Sequence, residues 1–153
     1  MEPQMTDGLL LSQVNQAYSD YTFALDGNDP DGLAACFAED GVWAISGRDP
    51  IEGRAAIAAF VEETSGARPR HLYANLGLTS VADDVVRSRA YFFLVAPSSG
   101  QIVAHGEYAD ELAEDPSAGG RLVFTRRDIR FLWMDPSYAS RGRAGVDGDD
   151  QAS

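Results

Sequence analysis

The hydrophobic period of this sequence changes once, close to Pro69. Before that position, apolar residues recur every three or four positions, which is the period of an amphipathic helix. After it, apolar and polar residues alternate, which is the period of a strand. A chain that places its helices first and its strands afterwards is expected to form an α+β domain.

Three helices are expected in the first half. The longest covers about 9–25, and its apolar positions form one stripe made of Leu11, Val14, Tyr18, Tyr21 and Leu25. A short second helix is expected over 29–37, because a proline and two acids occupy its start. A third begins at Gly53-Arg54 and ends near Gly66, and a short strand over 42–45 lies between the second and third helices.

Four long strands are expected in the second half, over about 70–82, 85–96, 101–113 and 121–134. Turn-forming residues separate them, so an antiparallel meander is the simplest connection. Residues 1–8 are expected to be a flexible leader and 9–135 a single domain. Residues 136–153 lack apolar periodicity and are rich in Gly, Asp, Ser and Arg, so a disordered tail is expected there.

Composition narrows the possible partners. The chain has 153 residues, 44% of them hydrophobic, which is enough for one domain with a real core. The formal charge of -12 disfavours nucleic acid and anionic membrane surfaces as partners.

The single cysteine, Cys36, excludes an internal disulfide, and its apolar neighbours indicate a buried side chain rather than a nucleophile. No apolar run suggests secretion or a membrane span, so a cytoplasmic location is expected.

The last strand places an arginine among apolar residues. Alternation puts Arg127 on the face that also carries Val123, Thr125, Ile129, Phe131 and Trp133. A buried arginine without a counter-charge is costly. Arg127 is therefore expected either to pair with an internal carboxylate or to bind an anionic or oxygen-rich group of a ligand.

The segment 70–76 is the strand on which a functional site is expected. Alternation puts three of its polar residues on one face: His71, Tyr73 and Asn75. An inward-facing histidine needs a partner, and the best candidate is Asp26, at the end of the first helix. We therefore predict an Asp26–His71 dyad inside an apolar pocket. The alternatives are a core histidine and an acid on the surface of the helix end.

Taken together, these elements resemble the SnoaL-like branch of the nuclear transport factor 2-like superfamily. The residues that carry the resemblance are Tyr21, Asp26, the Arg70–Asn75 strand and Arg127. The resemblance covers roughly 9–135. It implies a cone-shaped α+β barrel, in which N-terminal helices pack on a strongly curved, mixed, mostly antiparallel sheet around a deep apolar cavity.

Within that branch the pattern is similar to scytalone dehydratase, bile acid 7-alpha dehydratase and hexachlorocyclohexane dehydrochlorinase. The similarity implies four catalytic residues: Tyr21, Asp26, His71 and Arg127. It also implies that aromatic residues line the substrate cavity, and the expected substrate-binding residues are Trp43, Tyr73, Asn75, Tyr108 and Phe131. The middle strands offer no clear match to a further acidic residue of the bile acid enzyme. His105 is expected to be structural.

The expected function is that of a cofactor-independent lyase or isomerase. Asp26 would orient His71, and His71 would take a proton from a hydrophobic, cyclic, steroid- or polyketide-like substrate. No metal or organic cofactor is needed for this chemistry. The alternative is a non-catalytic ligand-binding or assembly subunit of the same fold, such as a ring-hydroxylating dioxygenase small subunit. A homodimer or homotrimer is expected in either case.

Overall fold

The computed structural model describes residues 3–139. Three helices come first: α1 (Pro3–Asp26), α2 (Pro30–Ala35) and α3 (Arg54–Glu63). Helix α1 begins earlier than expected, because residues 3–8 of the expected leader already belong to it. Helix α2 begins at an aspartate cap, where the carboxylate of Asp29 accepts a hydrogen bond from the Gly32 N–H at 2.9 Å.

Six strands form one mixed sheet: β1 (Phe37–Ile45), β2 (Ile51–Glu52), β3 (Arg70–Ala82), β4 (Val85–Val95), β5 (Ile102–Asp115) and β6 (Arg121–Met134). Their order is β2-β1-β6-β5-β4-β3, and the sheet is curled but not closed. The meander from β3 to β6 is antiparallel, as expected, whereas β1 pairs with β6 in parallel. The expected fold class, N-terminal helices packed on a curved and mostly antiparallel sheet, is confirmed.

Aromatic side chains fill the space between α1 and the inner face of the sheet. The ring centres of Tyr18 and Tyr21 lie 6.0 and 6.5 Å from that of Tyr108, and 5.7 and 5.9 Å from that of Phe124. Edge-to-face contacts at these distances are favourable and leave little free space. Cys36 is buried as expected, and burial raises the pKa of its thiol to about 12.

A β-bulge changes which residues of β6 face the interior. Phe124 pairs with Leu112 and Arg126 pairs with Glu111, so Thr125 is an extra residue without a counterpart on β5. Because of this insertion, Phe124 faces the same interior as Arg127. The alternation expected from the sequence, with Phe124 on the face opposite Arg127, is therefore wrong at this position.

A second irregularity corrects the placement of Asn75 on β3. The pairing of β3 with β4 shifts between Ala74 and Gly77, and Asn75 has a φ of 58°. This left-handed backbone, which asparagine tolerates better than most residues, turns the side chain away from the face of His71. Asn75 is exposed and lies at a groove on the outer side of the sheet.

The chain after β6 begins with a helical turn. The Tyr138 N–H donates to the Asp135 carbonyl at 3.0 Å, and the Tyr138 side chain packs against the core. The rest of the expected tail, from 140 to 153, and the first two residues of the expected leader lie outside the described residues. Between residues 3 and 139, no helix is long and apolar enough to cross a membrane.

Gly106 on β5 gives a test of the packing. A Cβ atom there would lie 2.0 Å from the Arg130 carbonyl oxygen and 2.7 Å from the Phe92 ring. We expect Gly106→Ala to lower the free energy of unfolding in urea by about 1–3 kcal/mol or more, because a backbone atom cannot move aside cheaply. Gly77→Ala is the control, since no atom lies within 4 Å of its Cβ position. Equal stability of the two variants would contradict the described packing.

Candidate functional site

Asp26 and His71 lie in direct contact. His71 Nδ1 is 2.6 Å from Asp26 Oδ1, and the His71 backbone N–H donates to Asp26 Oδ2 at 3.2 Å. The side chains retain only 14% (His71) and 8% (Asp26) of their accessible surface. Because Asp26 engages Nδ1, this geometry leaves Nε2 of His71 available to take a proton.

The sequence explains why the two residues meet here. Helix α1 stops at Asp26 because Asn28 turns the chain with a φ of 50°, and the N–H groups of Asn28 and Asp29 then donate back to the last helical turn, at 3.1 and 2.9 Å. The Asp26 carboxylate therefore belongs to the last helical turn. His71 is the second residue of β3 and lies opposite Leu94, which faces the interior.

A row of polar and aromatic side chains crosses the sheet. Its members occupy paired positions on four neighbouring strands: Ser88, Asp110, Arg127 and Trp43. Arg127 Nε lies 3.2 Å from Asp110 Oδ1, and both side chains are fully buried. The Tyr18 hydroxyl donates to Asp110 Oδ2 and lies 3.1 Å from the Ser88 hydroxyl. Arg127 was expected either to pair with an internal carboxylate or to bind a group of a ligand. The described contacts include an internal carboxylate, that of Asp110.

Asp110 is the site residue that the sequence analysis missed. It lies on β5, where every second residue from Ala104 to Leu112 is buried. The signal was present, because Asp110 follows Tyr108 on the same alternating face. A single acid among buried positions of one strand, facing a single arginine among buried positions of the next, could have identified the pair.

Four aromatic rings surround the Arg127 guanidinium. Its central carbon lies 3.7 Å from the ring centre of Tyr108, 4.2 Å from that of Tyr21 and 4.5 Å from those of Tyr18 and Phe124. Such cation–π contacts partly replace the lost hydration of a buried cation. Within residues 3–139, neither Arg127 Nη atom has a hydrogen-bond partner, and neither does Trp43 Nε1. These N–H groups can donate hydrogen bonds to a ligand oxygen.

Burial sets the protonation of this interior. It raises the pKa of Asp110 to about 6, against the opposing effect of Arg127, and it raises the pKa of Tyr108 to about 12. It also raises the pKa of Tyr21 well above its ordinary value. Burial alone would lower the pKa of Arg127, but Asp110 and the tyrosines outweigh it and raise the pKa. The interior therefore offers neutral hydroxyl groups and a permanent cation.

Most of the expected substrate-binding residues share the interior. The Tyr73 hydroxyl donates to Asn15 Oδ1 at 2.6 Å, and the Tyr73 ring lies 5.0 Å from that of Tyr18. Tyr108 and Phe131 both pack on Phe92, with ring centres 4.7 and 5.2 Å away. Trp43 is buried, and its ring centre lies 6.0 Å from that of Tyr21. Asn75 is the exception, for the reason given above.

The two best-defined pockets of the described part of the chain lie away from the dyad. The larger, of about 620 Å³, lies on the outer side of the sheet between Asn75, Arg89 and Glu107, and the smaller, of about 220 Å³, lies beside Arg54. Neither is lined by Asp26 or His71. The deep cavity implied by the resemblance is thus neither of these two pockets.

Other features of the site concern metal ligands and the second histidine. Among residues 3–139, no three His, Cys, Asp or Glu side chains are grouped as metal ligands would be. His105 faces the outer side of the sheet, where its ring stacks on Trp133 at 6.0 Å. His105 therefore lies on the face opposite to that of the buried Tyr108, in agreement with the alternation of β5. Trp133 was expected on the face of Arg127, and this expectation is wrong, because the pairing of β5 with β6 shifts between His105 and Gly106 and turns Trp133 to the outer side.

The fold, three helices on a curled six-stranded sheet, defines a member of the nuclear transport factor 2-like superfamily. The sequence profile of the SnoaL-like domain matches residues 10–128, and the chain belongs to that family. The family includes polyketide cyclases and dehydratases. No protein with a curated description matches the chain.

Solved structures similar to this chain come from several bacteria. One is a protein of unknown function from Mycobacterium tuberculosis, with 26% identity and a TM-score of 0.74 over 92% of this chain and 81% of that one. Another, from Novosphingobium aromaticivorans, bears the provisional name aromatic ring hydroxylase; identity is 25% and the TM-score 0.70, over 87% and 93% of the two chains. A third, provisionally named scytalone dehydratase and from the same organism, shares the fold at 23% identity and a TM-score of 0.72, over 85% and 89%.

The raised pKa of Asp110 predicts a pH-dependent stability. Burial raises this pKa from 3.8 to about 6, so the folded protein binds the Asp110 proton more tightly than the unfolded chain does. The contribution of Asp110 to the free energy of unfolding is therefore largest below pH 4 and is lost as the pH rises to about 6, by at most about 3 kcal/mol. Urea unfolding of wild type and Asp110→Asn at several pH values measures this contribution.

The difference in unfolding free energy, wild type minus Asp110→Asn, should fall across this range. Glu39→Gln, which removes an exposed carboxylate paired with Arg54, should retain the wild-type dependence. A difference that instead rises between pH 4 and 6 would mean that Arg127 outweighs burial at Asp110.

Proposed function

We propose that this chain is a cofactor-independent lyase or isomerase, of the dehydratase type, in which His71 takes a proton from a carbon atom of the substrate. The observation that carries the proposal is the 2.6 Å contact between His71 Nδ1 and Asp26 Oδ1. A histidine held in one orientation by a carboxylate is the arrangement required of a general base.

Each dyad residue has a defined task in this mechanism. Asp26 accepts a hydrogen bond from Nδ1–H, which fixes the tautomer, and it stabilises the imidazolium that forms when Nε2 takes a proton. The second contact, from the His71 backbone N–H to Asp26 Oδ2 at 3.2 Å, keeps the carboxylate in place. His71 remains partly exposed, so a proton taken up at Nε2 can pass to solvent, while the Nδ1 hydrogen is held by Asp26.

The interior residues would stabilise the developing negative charge. Proton removal next to a carbonyl group places that charge on an oxygen atom. Arg127 is a permanent cation whose Nη donors have no partner within residues 3–139, and Tyr21, whose ring lies under it, is a neutral hydrogen-bond donor. Both act more strongly in a buried site than in water, because little solvent screens them.

The proposed substrate is hydrophobic and cyclic, steroid- or polyketide-like. The interior side chains beside the dyad strand are aromatic, and flat apolar rings pack well against them. Membership of a family that includes polyketide cyclases and dehydratases points the same way. A similar fold also carries the provisional name scytalone dehydratase, an activity in agreement with this proposal.

A non-catalytic subunit is the second candidate. Two observations favour it: the interior is filled by rings, and the outer face of the sheet exposes Leu72, Tyr91 and Trp133 to about half of their surface. A relative provisionally named as an aromatic ring hydroxylase has a similar fold. In this case the outer face would contact a second copy or a large subunit. Light scattering of the protein alone, and mixed with dioxygenase large subunits, separates a homodimer or homotrimer from a hetero-complex.

Replacement of either dyad residue should abolish proton transfer. We expect Asp26→Asn and His71→Gln to lower turnover by about 10²–10⁴-fold, the usual contribution of a general base. The assay is deuterium incorporation from D₂O, followed by mass spectrometry, into a panel of cyclic alcohols, halides and enones. Elimination and isomerisation products are recorded in the same samples.

His105→Gln is the matched control, because it removes the other histidine from the outer face of the sheet. Its turnover should equal that of wild type, and circular dichroism should show all three variants folded. Full activity in Asp26→Asn or His71→Gln would exclude the proposed mechanism.

A further inference from the structure

Two loops flank the dyad, and one asparagine joins them. Asn28 lies two positions after Asp26, and its Oδ1 accepts hydrogen bonds from Arg68 Nε at 2.8 Å and from the Gly66 N–H at 3.3 Å. Its Nδ2 donates to the Gly66 carbonyl at 2.9 Å. The loop that leaves α1 is thus tied by three hydrogen bonds to the loop that leads into β3 and His71.

Arg68 extends this connection to α3. Its Nη2 donates to the Val61 carbonyl at 3.1 Å and to the Thr64 hydroxyl at 3.0 Å. Partial burial lowers the pKa of Arg68, and the nearby Asp26 carboxylate is among the groups that oppose this shift. The guanidinium is therefore joined through Asn28 to the loop that follows Asp26, and its charge interacts with the Asp26 carboxylate.

The dyad needs such a connection because its two residues come from separate elements. Asp26 and His71 are 45 positions apart, at the last turn of a helix and the first residues of a strand. Element ends fray more readily than element centres. A catalytic pair must hold its geometry to within about 0.5 Å, and a misplacement of about 1 Å can cost roughly 10²-fold in rate.

We propose that Asn28 and Arg68 are positioning residues that, through Gly66, set the distance and angle between Asp26 and His71. We call these three residues the latch. The inference rests on the proposed function, because the geometry of the dyad matters to a reaction only if His71 transfers a proton. It goes beyond that function by assigning roles to two residues outside the dyad and the buried row.

Two variants remove the latch with little other change. Asn28→Gly deletes all three side-chain bonds, while glycine readily adopts the φ of 50° found at this position. Arg68→Met deletes the guanidinium and keeps an apolar stem. Asp83→Gly is the matched control for the first variant, since Asp83 has a φ of 53° in the turn between β3 and β4, far from the dyad in sequence. Arg87→Met, at an exposed ion pair with Glu111, is the control for the second.

The first readout needs no substrate. A proton in a 2.6 Å nitrogen–oxygen hydrogen bond gives a low-field ¹H NMR signal that exchanges slowly with water. We expect this His71 Nδ1 signal in wild type and in both controls. In Asn28→Gly and Arg68→Met it should exchange with water about tenfold faster or be lost. Both variants should remain folded by circular dichroism.

The second readout is turnover on whichever panel compound reacts. Loss of positioning should lower kcat by about 10–100-fold with little change in KM, because substrate binding does not depend on the latch.

Arg68→Lys separates hydrogen bonding from charge, since lysine keeps the charge but cannot form the Nε bond to Asn28. A low kcat in Arg68→Lys supports the latch, whereas full recovery would show that charge alone is needed.

Failure of the latch and failure of the dyad give different results. If Asp26→Asn loses the low-field signal while both latch variants keep it with wild-type kcat, the latch is wrong and the dyad stands. If Asp26→Asn keeps the signal at the wild-type chemical shift and exchange rate, no Asp26–His71 dyad exists, and both proposals are overturned.

Discussion

The buried charge of Arg127 constrains the arrangement around it more than any other interaction does. A guanidinium that is shielded from solvent needs a counter-ion and polarisable neighbours. The elements around Arg127 supply both. Strand β5 supplies Asp110, and α1 supplies the ring of Tyr18 and its hydroxyl bond to that carboxylate. These contacts fix α1 across the sheet, and the last residue of α1, Asp26, then lies at the start of β3 beside His71.

Much of the fold follows from the period of the sequence, because helices and strands bury apolar residues at different spacings. The change at Pro69 marked the start of the four long strands, which form close to the expected positions. Strand β2 was missed because its pairing depends on β1 rather than on a pattern of its own. Asn75 and Phe124 were placed on the wrong faces, because a single bulge residue reverses alternation and leaves no clear mark in the sequence.

The candidate site was predictable where it depends on element ends and unpredictable where it depends on packing. An acid that ends an apolar helix and a histidine that begins a strand are visible in one sequence, and the structure brings Asp26 and His71 together. The partner of Arg127 was not identified, since cross-strand register decides which carboxylate it meets. The amount of space beneath α1 depends on how Tyr18, Tyr21 and Tyr108 pack, which periodicity does not determine.

The central claim is that Asp26 and His71 form one coupled pair, and an NMR spectrum that correlates the ring nitrogens and ring protons of the imidazoles tests it most directly. The chain has two histidines, and His105 on the outer face serves as an internal reference. In wild type, the His71 ring should carry a hydrogen on Nδ1, 2.6 Å from Asp26 Oδ1. Removing the carboxylate in Asp26→Asn should change the ¹⁵N chemical shifts of the His71 ring and leave those of His105 unchanged, because the carboxylate polarises the Nδ1–H group. Identical His71 ring signals in wild type and Asp26→Asn would contradict the coupled pair and the mechanism built on it.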